Sequence, residues 1–139
     1  MWTHKESIDI DATPEQIWTL FSDVDGWGRW NAGIEHIELH GAFAAGTTFT
    51  MKVPGGDAFT SLLLDVRDNA GFTDETIIDG TRVVVRHELR ATSSGQTRVT
   101  YGTEITGPHA SEFGPMVTGD FGAVLAALKR LAETLRQSD

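Results

Sequence analysis

The chain has 139 residues, enough for one hydrophobic core, and is read as one domain over residues 1–139. Hydrophobic residues are 40% and charged residues 22% of it, which excludes a disordered chain, and a net charge of -9 argues against nucleic acid as a partner. The absence of Cys removes disulfides, thiolate nucleophiles and sulfur-ligated zinc.

In chain order, residues 7–11 read as a strand. Thr13 is suited to cap a helix, Pro14 to its first position and Gln16 to closing a capping box. Ile17, Leu20 and Phe21 form the apolar face, and residues 23–28 break the helix before a short second piece over 27–31. Strands follow at 34–39 and 47–53, the latter alternating Phe49, Met51 and Val53 with polar neighbours and ending in the turn Pro54-Gly55-Gly56-Asp57. Further strands are expected at 58–66, 72–78, 82–91 and 97–106. Between them lie a turn at 68–71, the type I′ signal Asp79-Gly80 and a loop at 92–96. A long helix over 115–136 carries Val117, Phe121, Val124, Leu128, Leu131 and Leu135 as one stripe. Gly114, Gly119 and Gly122 crowd its first half, although each interior Gly costs about 1 kcal/mol relative to Ala. They either leave room for a ligand or allow close packing.

The hairpins fix which strand residues share a face, because side chains alternate with period two. A two-residue turn at Asp79-Gly80 sets Thr76 opposite Val83, Asp74 opposite Val85 and Phe72 opposite His87. A loop at 92–96 sets Leu89 opposite Val99, His87 opposite Tyr101, Val85 opposite Thr103 and Val83 opposite Ile105. Carried back with the same parity, Leu62, Leu64 and Val66 face inward with Phe49, Met51 and Val53, while Phe59, Leu63 and Ile77 fall on the outer face. Asp74, His87 and Tyr101 thus meet on the inner face, where unpaired polar groups cost about 1–3 kcal/mol each. They are either a satisfied part of the core or a ligand-contacting trio.

His36 and His40 stand four residues apart on a strand, about 13 Å, too far to share a metal. No metal is expected. No phosphate loop, dinucleotide fingerprint or serine elbow occurs, so no cofactor is expected either. Trp27 and Trp30 either border a pocket mouth or anchor the core. The N-terminus lacks an apolar signal core, and the longest apolar run, residues 123–128, is too short to span a bilayer, which points to a cytoplasmic protein.

Ile10-x-Ala12-x-Pro14-x-x-Ile17-Trp18, then Asp23, Trp27-x-x-Trp30-Asn31, Gly41 and Gly46, resembles the polyketide cyclase/dehydrase group of the SRPBCC (START/Bet v 1-like) superfamily. Thr97-Arg98-Val99-Thr100, Thr106-Gly107-Pro108 and the terminal helix extend the resemblance over nearly the whole chain. It implies an α+β helix-grip fold: a seven-stranded curved antiparallel sheet around a long C-terminal helix, two short helices after the first strand, and a cavity between sheet and long helix. The motif is one of capping and packing, so it carries over the pocket's location and no catalytic residue.

Three functions are weighed. The first is binding of a hydrophobic small molecule, polyketide-, aromatic- or lipid-like. Its pocket would be lined by Trp30, Phe49, Met51, Leu62, Leu64, Phe72, Val85, Thr103, Val117 and Phe121. The second is a cyclase- or dehydratase-type enzyme with His87 as general acid or base, Tyr101 as proton donor and Asp74 orienting the imidazole. The third is a protein–protein module of the Aha1 type, contacting through Phe59, Leu63 and Ile77. The expected partner is the hydrophobic ligand, with a homodimer left open.

Overall fold

A computed structural model describes residues 1–138. Strand β1 (Trp2–Ile10) leads into helix α1 (Pro14–Ser22) and a 3-10 helix (Val24–Arg29). Six strands follow: β2 (His36–Leu39), β3 (Thr48–Lys52), β4 (Ala58–Arg67), β5 (Gly71–Ile78), β6 (Thr81–Ala91) and β7 (Thr97–Thr106). They form one antiparallel sheet in the order β1-β7-β6-β5-β4-β3-β2, and helices α2 (Ala110–Thr118) and α3 (Phe121–Ser138) complete the chain.

Helix α1 starts as its sequence dictates. The Thr13 hydroxyl accepts from the Gln16 amide at 3.2 Å, and the Gln16 side chain accepts from the Thr13 amide at 2.9 Å. Both amides would otherwise lack partners at the helix start. Thr13→Ala is expected to lower stability by about 0.5–2 kcal/mol, read as a shift of the chemical-denaturation midpoint.

The two hairpins hold the anticipated registers. Asp79 and Gly80 both adopt positive φ, as a type I′ turn requires, and Phe72 pairs with His87 and His87 with Tyr101. The expected parity fails in β4. Leu63 pairs with Asp74 and Asp65 with Thr73, so Leu64 is an extra residue in a β-bulge. Before the bulge Phe59, Ser61 and Leu63 point inward; beyond it Val66 does. Leu63 is fully buried, Leu62 pairs with Glu75 on the outer face, and Leu64 is exposed. Leu62 and Leu64 are therefore not inner-face residues, and Phe59 and Leu63 are not outer-face ones.

The expected single terminal helix is two. Helix α2 ends at Thr118, Gly119 and Asp120 form the junction, and α3 restarts at Phe121. Gly114 settles one of the glycine readings: a Cβ there would lie 2.3 Å from the Trp2 indole, so its missing side chain lets α2 press onto β1. From α3, Phe121, Val124, Leu125, Leu128 and Ala132 are buried, whereas Leu135 is exposed.

The core fills one half of the concave face. Trp27 stacks on Phe72 with centroids 5.4 Å apart and meets Phe49 edge-on at 5.6 Å, while Phe21 packs on Trp30 and Phe72. The Trp27 indole N–H donates to the Phe21 carbonyl at 2.8 Å. Both tryptophans are core anchors, delivered by the break after α1. The other half of the face is less filled.

Candidate functional site

A cavity of about 570 Å³ occupies that second half, between β4–β7 and the α2–α3 junction. Phe59, Val83, Val85, Val117, Phe121 and Val124 supply its apolar wall. Met116 and Ile78, lining residues that are also solvent-exposed, mark its mouth. Ser61 and Thr76 also line it but satisfy each other through a 2.6 Å hydroxyl–hydroxyl hydrogen bond. The polar residues left over are Asn31, Asp57, Asp74, His87, Tyr101 and Asp120, set among apolar side chains as in ligand-binding cavities generally.

Asp74, His87 and Tyr101 all line this cavity. His87 sits at its boundary with the aromatic core, stacked on Phe72 at 3.9 Å and edge-on to Tyr101 at 4.6 Å. Its Nδ1 is 3.2 Å from the Phe72 carbonyl oxygen, which can only accept, so the neutral ring holds its proton on Nδ1 and leaves Nε2 as the free lone pair. Burial pushes the imidazole pKa down to about 3.

The Asp74 carboxylate lies 4.0 Å from Nδ1, beyond hydrogen-bond reach. The Phe72 carbonyl, not Asp74, orients the ring. With its side chain only 13% exposed, Asp74 is pushed by burial up to about 7. Tyr101 is 4% exposed, and its hydroxyl is buried without a hydrogen-bond partner. Burial raises the phenol first, and the nearby carboxylates of Asp74 and Asp120 raise it further. Asp120, at the helix junction, is itself raised, chiefly by burial.

Of the residues anticipated as pocket walls, Val85, Val117 and Phe121 line the cavity. Trp30, Phe49 and Phe72 belong to the aromatic core, and Met51 packs against it. Thr103 is buried, with its hydroxyl donating to the Val84 carbonyl at 2.8 Å. Leu62 and Leu64 are turned away by the bulge. The same bulge dissolves the outer patch proposed for protein contacts: Phe59 lines the cavity, Leu63 is core, and Ile77 alone of the three is exposed, at 64%. Sequence reasoning missed Asn31, Asp57, Phe113, Met116 and Asp120 as lining residues. Asp120, a charged residue between Gly119 and Phe121 within the apolar stripe, was the one with a visible signal.

A strongly curved antiparallel sheet gripping a C-terminal helix, with a cavity between them, defines the helix-grip, Bet v 1-like class. The chain belongs to the family described as polyketide cyclase/dehydrase and lipid transport, whose model matches residues 1–133. No curated protein matches it. Among solved structures it is similar to a Mesorhizobium loti protein, with 19% identity, TM-score 0.78 and 99% of each chain covered. It is also similar to norcoclaurine synthase from Thalictrum flavum, with 17% identity, TM-score 0.74, and 94% of this chain and 85% of that one covered. A third likeness is to Aha1 from Colwellia psychrerythraea, solved as a dimer, with 21% identity, TM-score 0.72, and coverage of 96% and 97%. At such identities these likenesses speak to the fold. No described helix is long and apolar enough to cross a membrane.

Proposed function

We propose that the protein binds a small, largely apolar organic molecule in the cavity between the sheet and the α2–α3 junction. The observation that carries this reading is the unpartnered Tyr101 hydroxyl beside a cavity walled on several sides by Phe59, Val83, Val85, Val117, Phe121 and Val124. A buried hydroxyl without a partner costs about 1–3 kcal/mol, a cost that a ligand polar group would remove. The family's description and its cavity-bearing fold agree with such a role. The neutral fluorophore N-phenylnaphthylamine is expected to bind saturably with enhanced emission. Val85→Trp, which fills the cavity from β6, is expected to weaken that binding by about tenfold or more, at an overpacking cost of about 1–3 kcal/mol. Absence of saturable binding to the folded wild type overturns the reading.

One observation favours a second reading, acid–base catalysis of the cyclase or dehydratase type. Burial pushes Asp74 up to about 7, the range in which a general acid or base works best, and its carboxylate lies 4.0 Å from a neutral imidazole with a free Nε2. In this version Asp74 is the proton-transfer group and His87 a hydrogen-bonding wall. Homodimerisation has only the dimeric Aha1 likeness in its support.

A further inference from the structure

The charges around the cavity are one-sided. Asp57, Asp74 and Asp120 line it, and no Lys or Arg does among the described residues. Asp74 on β5 and Asp120 at the α2–α3 junction line the same cavity as Tyr101 on β7, and both carboxylates raise its phenol. All the same, neither carboxylate has a cationic partner among the described residues, although cations are paired elsewhere: Arg98 with Asp9, Arg86 with Glu104 and Lys129 with Glu133. The acidic groups therefore stand where a ligand would have to supply the counter-charge. Tyr101, whose buried hydroxyl lacks a partner, lines the same cavity.

We propose that the molecule held in this cavity is an organic cation, an apolar body carrying a protonated amine whose N–H groups reach the Tyr101 hydroxyl and the Asp74 carboxylate. The inference rests on the binding reading above and narrows it to one ligand class. An isolated carboxylate in an apolar cavity is costly, and an ammonium placed against it converts that cost into an ion pair with charge-assisted hydrogen bonds. The phenol oxygen accepts one N–H, and its own O–H can turn to a carboxylate. A carboxylate ligand, such as a fatty acid, meets like charge and finds no cation to hold it. An uncharged ligand falls between the two.

The groups facing Asp74 set the pH response. His87 on β6 stays neutral down to about 3, Tyr101 on β7 keeps its proton far above neutrality, and Asp120 faces from the helix junction. Asp74 is thus the group that changes charge near pH 7. A cation binds the deprotonated form, so its affinity rises as pH rises through 7.

The test displaces N-phenylnaphthylamine with three matched compounds, naphthylmethylamine, naphthalenemethanol and naphthoate. The amine, protonated throughout, is expected to bind at least about tenfold more tightly than the alcohol at pH 8, with naphthoate weakest. Its affinity is expected to rise by about tenfold from pH 6 to 8, and Asp74→Asn to flatten that rise while the alcohol's affinity holds. Asp120→Asn gives an independent arm, with a smaller loss confined to the amine. Equal displacement by all three compounds, or naphthoate binding best, overturns the cation assignment and leaves the apolar pocket standing. Failure of the fluorophore itself to bind removes the pocket reading, and the assignment with it.

Discussion

Asp74→Asn is expected to stabilise the protein at pH 8 by about 2–4 kcal/mol and to leave it nearly unchanged at pH 4, measured by urea denaturation. The sign follows from proton linkage. Folded Asp74 keeps its proton up to about 7, whereas the unfolded chain releases it near 3.8. Between these values the folded state binds the extra proton, so stability falls as pH rises and the loss is complete above about 7. Burial is the cause, since no hydrogen bond to the carboxylate offsets it. An amide of the same shape carries no charge to desolvate. An unchanged midpoint at pH 8 would show that Asp74 is solvated through the cavity mouth.

The second large effect concerns His87→Phe, through the shape of the pH profile. Folded His87 refuses a proton until about 3, while the unfolded chain accepts one near 6.5, so this group destabilises the fold as pH falls through that window. Asp74 acts in the opposite direction from about 7 to 3.8. Over the shared range the folded site holds a neutral acid beside a neutral base, and the unfolded chain holds the same two groups as ions. The proton count is equal, and the two slopes cancel in the wild type. His87→Phe removes one slope and exposes the other. Its stability is expected to climb by about 1 kcal/mol per pH unit on acidification from pH 6.5 to 4.5. The Phe ring keeps the stacking on Phe72 and the edge contact with Tyr101, at a cost of about 1 kcal/mol for the lost Nδ1–H bond. A variant profile as level as that of the wild type would refute the buried neutral pair.

The two hairpins that build this pair were legible because their turns announce themselves and their strands alternate. A slip of one residue would have turned Val83, Val85 and Leu89 to water. In β4 the same reasoning had nothing to hold. Leu62, Leu63 and Leu64 are consecutive and equally apolar, so period two has no phase there, and the bulge between Leu63 and Asp65 leaves no mark in composition. The break between α2 and α3 was hidden for a related reason: Val117 and Phe121 keep a four-residue spacing across it. Facing inward, moreover, does not decide whether a side chain meets a cavity or a neighbour. Phe49 and Phe72 point the expected way and are covered by Trp27, a residue of the 3-10 helix that is distant from them in sequence. The grouping of Asp74, His87 and Tyr101 was legible for the opposite reason, since all three lie on adjacent strands joined by short turns.

The bulge at Leu64 also bears on how the length of this chain can change. In a paired strand the loss of one residue rotates everything on one side of the gap by half a turn and sends a buried row into solvent. At Leu64 it would not. Leu63 already pairs with Asp74 and Asp65 with Thr73, so removing the residue between them closes a regular ladder, with Ser61 and Phe59 still facing the cavity and Val66 still facing the core. A single-codon deletion, ordinarily ruinous in the middle of a sheet, has at this position a site where register survives and only the local twist is relaxed.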